Sequence, residues 1–288
     1  MMVQFVEPTR PLNNHSFDRR CAGVAQGYLA KMLERRSGRK HMTQTSAELL
    51  KRWVTAQAPD QADWITASLD AISKGAPERD LHIFLGLAPR RLGKADLILS
   101  ADDLAAAEAC RADWDPSGWS IDGAARVMAL LNTTGNRPFS ERFKDLRRTA
   151  DVSEMISFYR GLPLYPEPET LDFEAGEGLR SNIRAVFEAI AHQNPYPRDH
   201  FDEHRWNHMI LKALFVGSTL SPIVGLTERA NPELARILVD YAQERWAAGR
   251  PVTNELWIPV KPFRNDPAIA DQLAKAIEDR QLTKEALS

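Results

Sequence analysis

The amino-acid sequence predicts an all-α protein of stacked antiparallel helical hairpins, either an irregular HEAT-like solenoid or a compact helical bundle. Three observations carry this expectation. Apolar residues recur at i, i+3, i+4 and i+7 in segment after segment, the spacing of a helix buried along one side. The breaks are short Pro/Gly words such as Lys74-Gly75-Ala76-Pro77, Asp115-Pro116-Ser117-Gly118 and Gly161-Leu162-Pro163, and connections this short set consecutive helices side by side. No alternation of apolar and polar residues around a tight turn indicates a β-hairpin, and no strict period of about 30 to 50 residues survives, which disfavours a regular TPR or ankyrin array.

In chain order, helices are expected over 46–58, 61–74, 78–87, 101–110, 121–132, 139–148, 151–160 and 179–192. The run Met42-Thr43-Gln44-Thr45-Ser46 leads into the first as a capped start, Pro89 should end the third, and Ile183, Val186, Phe187 and Ile190 form the stripe of the last. Asn194-Pro195-Tyr196-Pro197 then makes a stiff turn. The next helix has Asp202 as N-cap and the stripe Trp206, Met209, Ile210, Ala213 and Leu214; Gly217 and Pro222 stop it. Asn231-Pro232-Glu233 starts another by giving cap, first-turn proline and an acid at the positive helix end, and Leu234, Ile237, Leu238, Tyr241 and Ala242 continue it. Gly249-Arg250-Pro251 ends that helix, and 266–280 reads as a capping helix followed by a polar tail to 288. The expected division is an extension over 1–41, a helical domain over 42–264 and this terminal segment over 265–288. The extension is rich in Arg, Asn and Pro and should be poorly ordered; one reading takes Met42 as the biological start, the other takes Arg35, Arg36, Arg39 and Lys40 as a basic arm that touches an anionic partner.

Composition excludes several functions. The 288 residues carry 37 Lys and Arg against 39 Asp and Glu, so no global field favours nucleic acid or an anionic membrane. No apolar run approaches the ~20 residues that span a bilayer, and no continuous apolar stretch with a small-residue cleavage site suggests a signal peptide. Cys21 and Cys110 stand far apart with no CxxC pair, so neither a disulfide framework nor a zinc ribbon is indicated, and a reducing cytoplasm fits best. No GxSxG, Walker or Rossmann glycine pattern occurs; the expectation is therefore a protein without cofactor and without a recognisable nucleophile.

The residues 200–257 carry a resemblance as well as two helices. The words HFDE (200–203), WN (206–207), KALFVGS (212–218), GLTERANPELAR (225–236) and DYAQERWAAGRPV (240–252) resemble the EboA-domain family, whose members belong to gene clusters assigned to metabolite traffic. APERDLHIFLGLAPRRLGKADL (76–97), WDPSGWSID (114–122), FYRGLPL (158–164) and SNIRAVFEAIAHQNPYP (181–197) extend the likeness over about residues 42–263. His204 and His208 depart from it. The resemblance implies a metabolite-traffic protein whose partners are a small metabolite or proteins of the same pathway, a membrane-embedded one included.

Candidate site residues follow from side-chain chemistry. Arg90, Arg91 and Lys94 form a basic turn suited to phosphate or carboxylate, although basic residues also favour a helix C-terminus. Asn182, Arg184, Tyr196, His200, Asn207, Lys212, Arg229, Asp240 and Glu244 are the candidates for a polar ligand groove; helix caps and ion pairs are the structural alternative. Asn207 and Lys212 differ by about 140° around one helix, so Asn207 is read as bridging helices and Lys212 as the ligand contact. His200, His204 and His208 lie four apart, but one straight helix does not surround an ion with three imidazoles; they read as solvent-facing or capping, and a metal would need Asp202 or Glu203 as well. Trp114 and Trp119 bracket a loop that could rim a pocket, with core packing the favoured role. Three functions remain open: a non-catalytic binding protein, an enzyme using the 182–244 face, and a scaffold without small ligand.

Overall fold

Apolar stripes along each segment produce thirteen α-helices and no strand among the described residues, 44–279 and 281–287 of a computed structural model. The helices are α1 Ser46–Gln57, α2 Ala62–Ser73, α3 Glu78–Leu92, α4 Ala101–Cys110, α5 Ile121–Leu131, α6 Phe139–Thr149 and α7 Val152–Arg160. They continue as α8 Asp172–Leu179, α9 Arg184–Ala191, α10 Tyr196–His200, α11 Glu203–Phe215, α12 Pro232–Ala247 and α13 Ala270–Glu278. Local signals set several starts. Thr45, Ser100 and Asp151 each form a capping box with the acid three residues on, while Asp202 and Asn231 accept the amides of Arg205 and Leu234. The expectation for residues 1–41 lies outside the described residues.

The sequence IDGAARVMALL makes α5 the centre of the molecule. Its small residues admit neighbours from every direction, and every side chain from Ile121 to Leu130 is buried. α1, α3 and α7 all pack on it. A solenoid, in which each hairpin touches only its neighbours in sequence, does not produce such a hub, so the packing around α5 is that of a compact bundle.

Two charges sit inside this apolar helix. Arg126 and Asp122 are 2% and 1% exposed and pair at 2.8 Å across one turn. Arg126 also donates from Nη1 to Ser153 Oγ and from Nε to the Leu85 carbonyl, both at 3.2 Å. The second bond explains a departure from the sequence expectation, because α3 does not stop before Pro89 but runs through it to Leu92. Proline at 89 has no N–H for the carbonyl four residues earlier. That carbonyl belongs to Leu85, and Arg126 supplies the missing donor.

The other corrections concern 172–200. The expected helix over 179–192 is divided: α8, unforeseen because of its two glycines, ends at Leu179, and α9 begins at Arg184. Ile183 is consequently an N-terminal flanking residue, 41% exposed, while Val186, Phe187 and Ile190 keep the core places expected of them. The stiff turn at 194–197 opens the short helix α10. α11 and α12 pack together but not as the antiparallel hairpin expected of them: Asn207 meets Asn231 near the start of both, and Leu214 and Phe215 meet Tyr241 further along both, so they run in the same direction, joined by the long connection 216–231. No helix among the described residues is long and apolar enough to cross a membrane.

Removing one partner of the α5 pair strands the other. Arg126→Met is expected to cost about 3–5 kcal/mol, and the double variant Asp122→Leu/Arg126→Met should be less destabilised than that single change. Urea unfolding of the three proteins checks this; a single variant more stable than the double would refute it.

Candidate functional site

The sequence candidates do not share one groove. Arg90 and Arg91 occupy the last turn of α3 and are exposed, Arg91 lying 5.6 Å over the Trp64 ring; Lys94 is exposed just beyond. These places match the helix-terminus role of such cations. Asn182 is exposed, Arg184 pairs with Glu188 at 2.6 Å, Asp240 pairs with Arg236 at 2.9 Å, and Glu244 is exposed on α12. Tyr196 is buried and donates to the Pro168 carbonyl at 2.7 Å. The ring of His200 lies 4.7 Å from that of Tyr196, and burial lowers the His200 pKa. Arg229 donates to the carbonyls of Pro197 and Arg198 and covers the Trp206 ring at 4.8 Å. Asn207 bridges helices by exchanging amide hydrogen bonds with Asn231, the cap of α12, at 2.9 and 3.2 Å. Lys212, His204 and His208 share a cleft between α8 and α11. His200 is on a different helix, and among the described residues no group of three His, Cys, Asp or Glu is placed to hold a metal.

A larger cleft, of about 430 Å3, lies where sequence reasoning named only its tryptophan loop. One wall is a face of α7: Val152, Ser153, Ile156, Ser157 and Arg160 fall at i, i+1, i+4, i+5 and i+8. The facing wall is the start of α5 with the segment before it. There the antiparallel bridge between Asp96 and Ser120, closed by Leu97 N–H to Trp119 O at 2.7 Å and Ile121 N–H to Ala95 O at 2.8 Å, brings a carboxylate and a hydroxyl together. Gly123 keeps this corner open, since a Cβ there would stand 2.9 Å from Ser120 Oγ and 3.2 Å from Ser157 Oγ. Trp114 is buried against Trp53 and Trp119, and only Trp119 reaches the cleft.

Arg160 is the distinctive group. It is half-buried, donates through Nη1 to the Gly118 carbonyl at 2.9 Å, and forms no ion pair among the described residues. Burial lowers its pKa, opposed by the field of Asp96; as a guanidinium it stays charged. A desolvated cation with unused N–H groups, beside three hydroxyls and an indole, can bind an anion that also carries hydroxyl groups. The stripe is hidden in the sequence because Val152 and Ile156 have the apolar character of core positions.

A second cleft, of about 170 Å3, shares Trp119, Ile156 and Arg160 and adds Glu188, His192 and Gln193. Gln193 holds φ +48°, a conformation that costs a non-glycine residue energy, and is tied by its N–H to Pro222 O and by its side chain to Asp115. Behind this wall Ser218 donates to Glu188 at 2.6 Å and lies 3.2 Å from His192 Nε2. The trio is not a serine nucleophile system. His192 Nε2 stands 3.0 Å from the Thr219 carbonyl, which only accepts, so that nitrogen carries the proton and is no base for Ser218, itself 7% exposed. Burial raises the Glu188 pKa, but hydrogen bonds from Ser218 and Arg184 outweigh it and hold the carboxyl below its usual range.

The sequence profile of a family described as metabolite traffic protein EboA matches residues 46–261. No curated protein and no solved structure matches the chain.

Because its pKa is depressed on folding, Glu188 contributes stability that is present above the unfolded value of ~4.3 and lost as pH falls through the lower folded value. Ser218→Ala is expected to cost about 1 kcal/mol at neutral pH, with the gap to wild type narrowing below pH ~4. Melting temperatures across that range check it; a gap that widens in acid would contradict the assignment.

Proposed function

The chain belongs to the EboA family, described as metabolite traffic proteins, and on that premise we propose that it carries a small polar metabolite without transforming it, in the cleft walled by Trp119, Ile156 and Arg160. The observation that carries this reading is the half-buried Arg160, whose guanidinium meets a single carbonyl and no carboxylate among the described residues. Leaving a cation so placed is costly unless a ligand anion completes its shell. The hydroxyls of Ser120, Ser153 and Ser157 offer both donors and acceptors, and Asp96 accepts from a ligand hydroxyl. Trp119 and Ile156 give a flat apolar wall. The fitting ligand is a carboxylate or phosphate ester with several hydroxyl groups, of a size suited to about 430 Å3.

Carriage rather than catalysis is favoured by the state of the polar groups nearby. Glu188 is occupied by Ser218 and Arg184, and His192 turns its protonated nitrogen to a carbonyl. Neither is poised to move a proton to or from a ligand. In this reading the ligand passes to another protein of the same pathway, a membrane-embedded one included, and the exchange takes place in the cytoplasm.

Native mass spectrometry of the purified chain tests the proposal. A bound small anion is expected on the wild type. Arg160→Met should weaken it about tenfold or more while lowering the melting temperature only slightly, because the lost bond to Gly118 is one of several that fix the loop. Retention of the anion by Arg160→Met, or conversion of the released compound on incubation, would reject carriage at this cleft.

A further inference from the structure

We propose that the cleft between α8 and α11 is a second, independent site, and that it takes one amphiphilic anion, a phosphate or carboxylate on an apolar chain, as a monomer. Two facing helical stripes build it, with a volume of about 400 Å3. Phe173, 62% exposed, gives the apolar surface, and the buried Leu179 and Met209 lie beneath the cleft as its floor. Arg180, Arg205 and Lys212 line the same space together with two imidazoles, whose rings meet edge to face at 4.3 Å. No carboxylate lines it. The acids that pair with two of the arginines, Glu177 with Arg180 and Asp172 with Arg205, stand outside the lining. In a chain of net charge −2, a cleft walled by three cations and no acid is a local preference for anions.

The order of groups along the cleft sets the orientation of the ligand. Asp172 pairs with Arg205 and the Leu179 carbonyl accepts from Lys212, so α8 and α11 run in the same direction, and seven residues of helix separate the two contacts by about 10 Å. At one end Lys212 donates to the carbonyls of Leu179 and Ser181, which closes the end of α8 and leaves the third ammonium proton unused among the described residues. Arg180 follows Leu179 at that end. Phe173 lies at the other. The head group therefore sits between Lys212 and Arg180, and the chain runs over Met209 toward Phe173.

Isothermal titration of the full chain with octyl phosphate, inorganic phosphate and octyl glucoside tests both halves of the ligand. Octyl phosphate is expected to bind at equimolar ratio, and the two truncated probes at least about tenfold more weakly. Gly176 lines the cleft and has only the flexible end of Arg205 near it, with a Cβ 3.4 Å from that guanidinium; Gly176→Leu should fill the cleft, favour the helix and abolish binding. Arg180→Met removes an exposed charge and should weaken octyl phosphate several-fold without changing the fold. Arg160→Met should leave this titration unchanged. Undiminished binding to a folded Gly176→Leu, equal affinity for octyl glucoside or for inorganic phosphate, loss with Arg160→Met, or binding to phosphatidylglycerol vesicles but not to octyl phosphate would each overturn the proposal.

Discussion

The rest of the molecule depends on a guanidinium where a core would ordinarily place a methyl group. Arg126 meets the carboxylate of Asp122, the hydroxyl of Ser153 and the carbonyl that Pro89 leaves unpaired. One side chain thus ties α3 and α7 to α5, by contacts that apolar side chains could not make. Hydrophobic packing around α5 would tolerate small slides of its neighbours, whereas directed bonds fix their axial positions. That matters for the larger cleft, whose two walls are the side of α7 and the start of α5. The bond to Ser153 fixes the register between those walls, about two turns from Arg160 along α7.

Burial also explains why the two clefts differ. Around Arg160 the polar groups are short and their backbone is anchored: serines on or capping a helix, an aspartate whose main chain is fixed by one bridge, and a tryptophan pinned by its neighbours. Such groups lose little freedom on meeting a ligand, which suits recognition of a defined pattern of hydroxyls. Between α8 and α11 the cations are long and one end is an exposed phenyl ring. That surface suits a charge attached to something featureless.

How much of this was legible depended on range. Helix starts were readable because caps are local, and Ser100, Asp151, Asp202 and Asn231 act through amides within three residues of themselves. The continuation of α3 through Pro89 was not, because the compensating donor lies 41 residues away on another helix. The division at 180–183 was hidden for a similar reason: the carbonyls it exposes are capped by Lys212, 33 and 31 residues on. Site residues fared by the same rule. Asn207 was readable as a bridge from its position on a stripe, and its partner is the next helix cap. Lys212 reached a cleft, but its first duty is to α8. Arg90, Arg184 and Asp240 carry charges whose nearest uses are helix termini and neighbouring turns, and composition does not distinguish these from ligand contacts. Arg160 was missed because the lack of an ion pair is a property of three dimensions.

The exchange between Asn207 and Asn231 joins α11 to α12 without any group that titrates. Each amide offers one donor and one acceptor to the other, so the pair is neutral as a whole and indifferent to acidity. Nor does dissolved salt screen it as it screens the ion pairs on the outside of α12. Acidification or a rise in ionic strength would therefore loosen the surface of this half of the protein before its frame. The angle at which α11 presents its cationic face is thereby set by chemistry that neither protons nor counterions can reach.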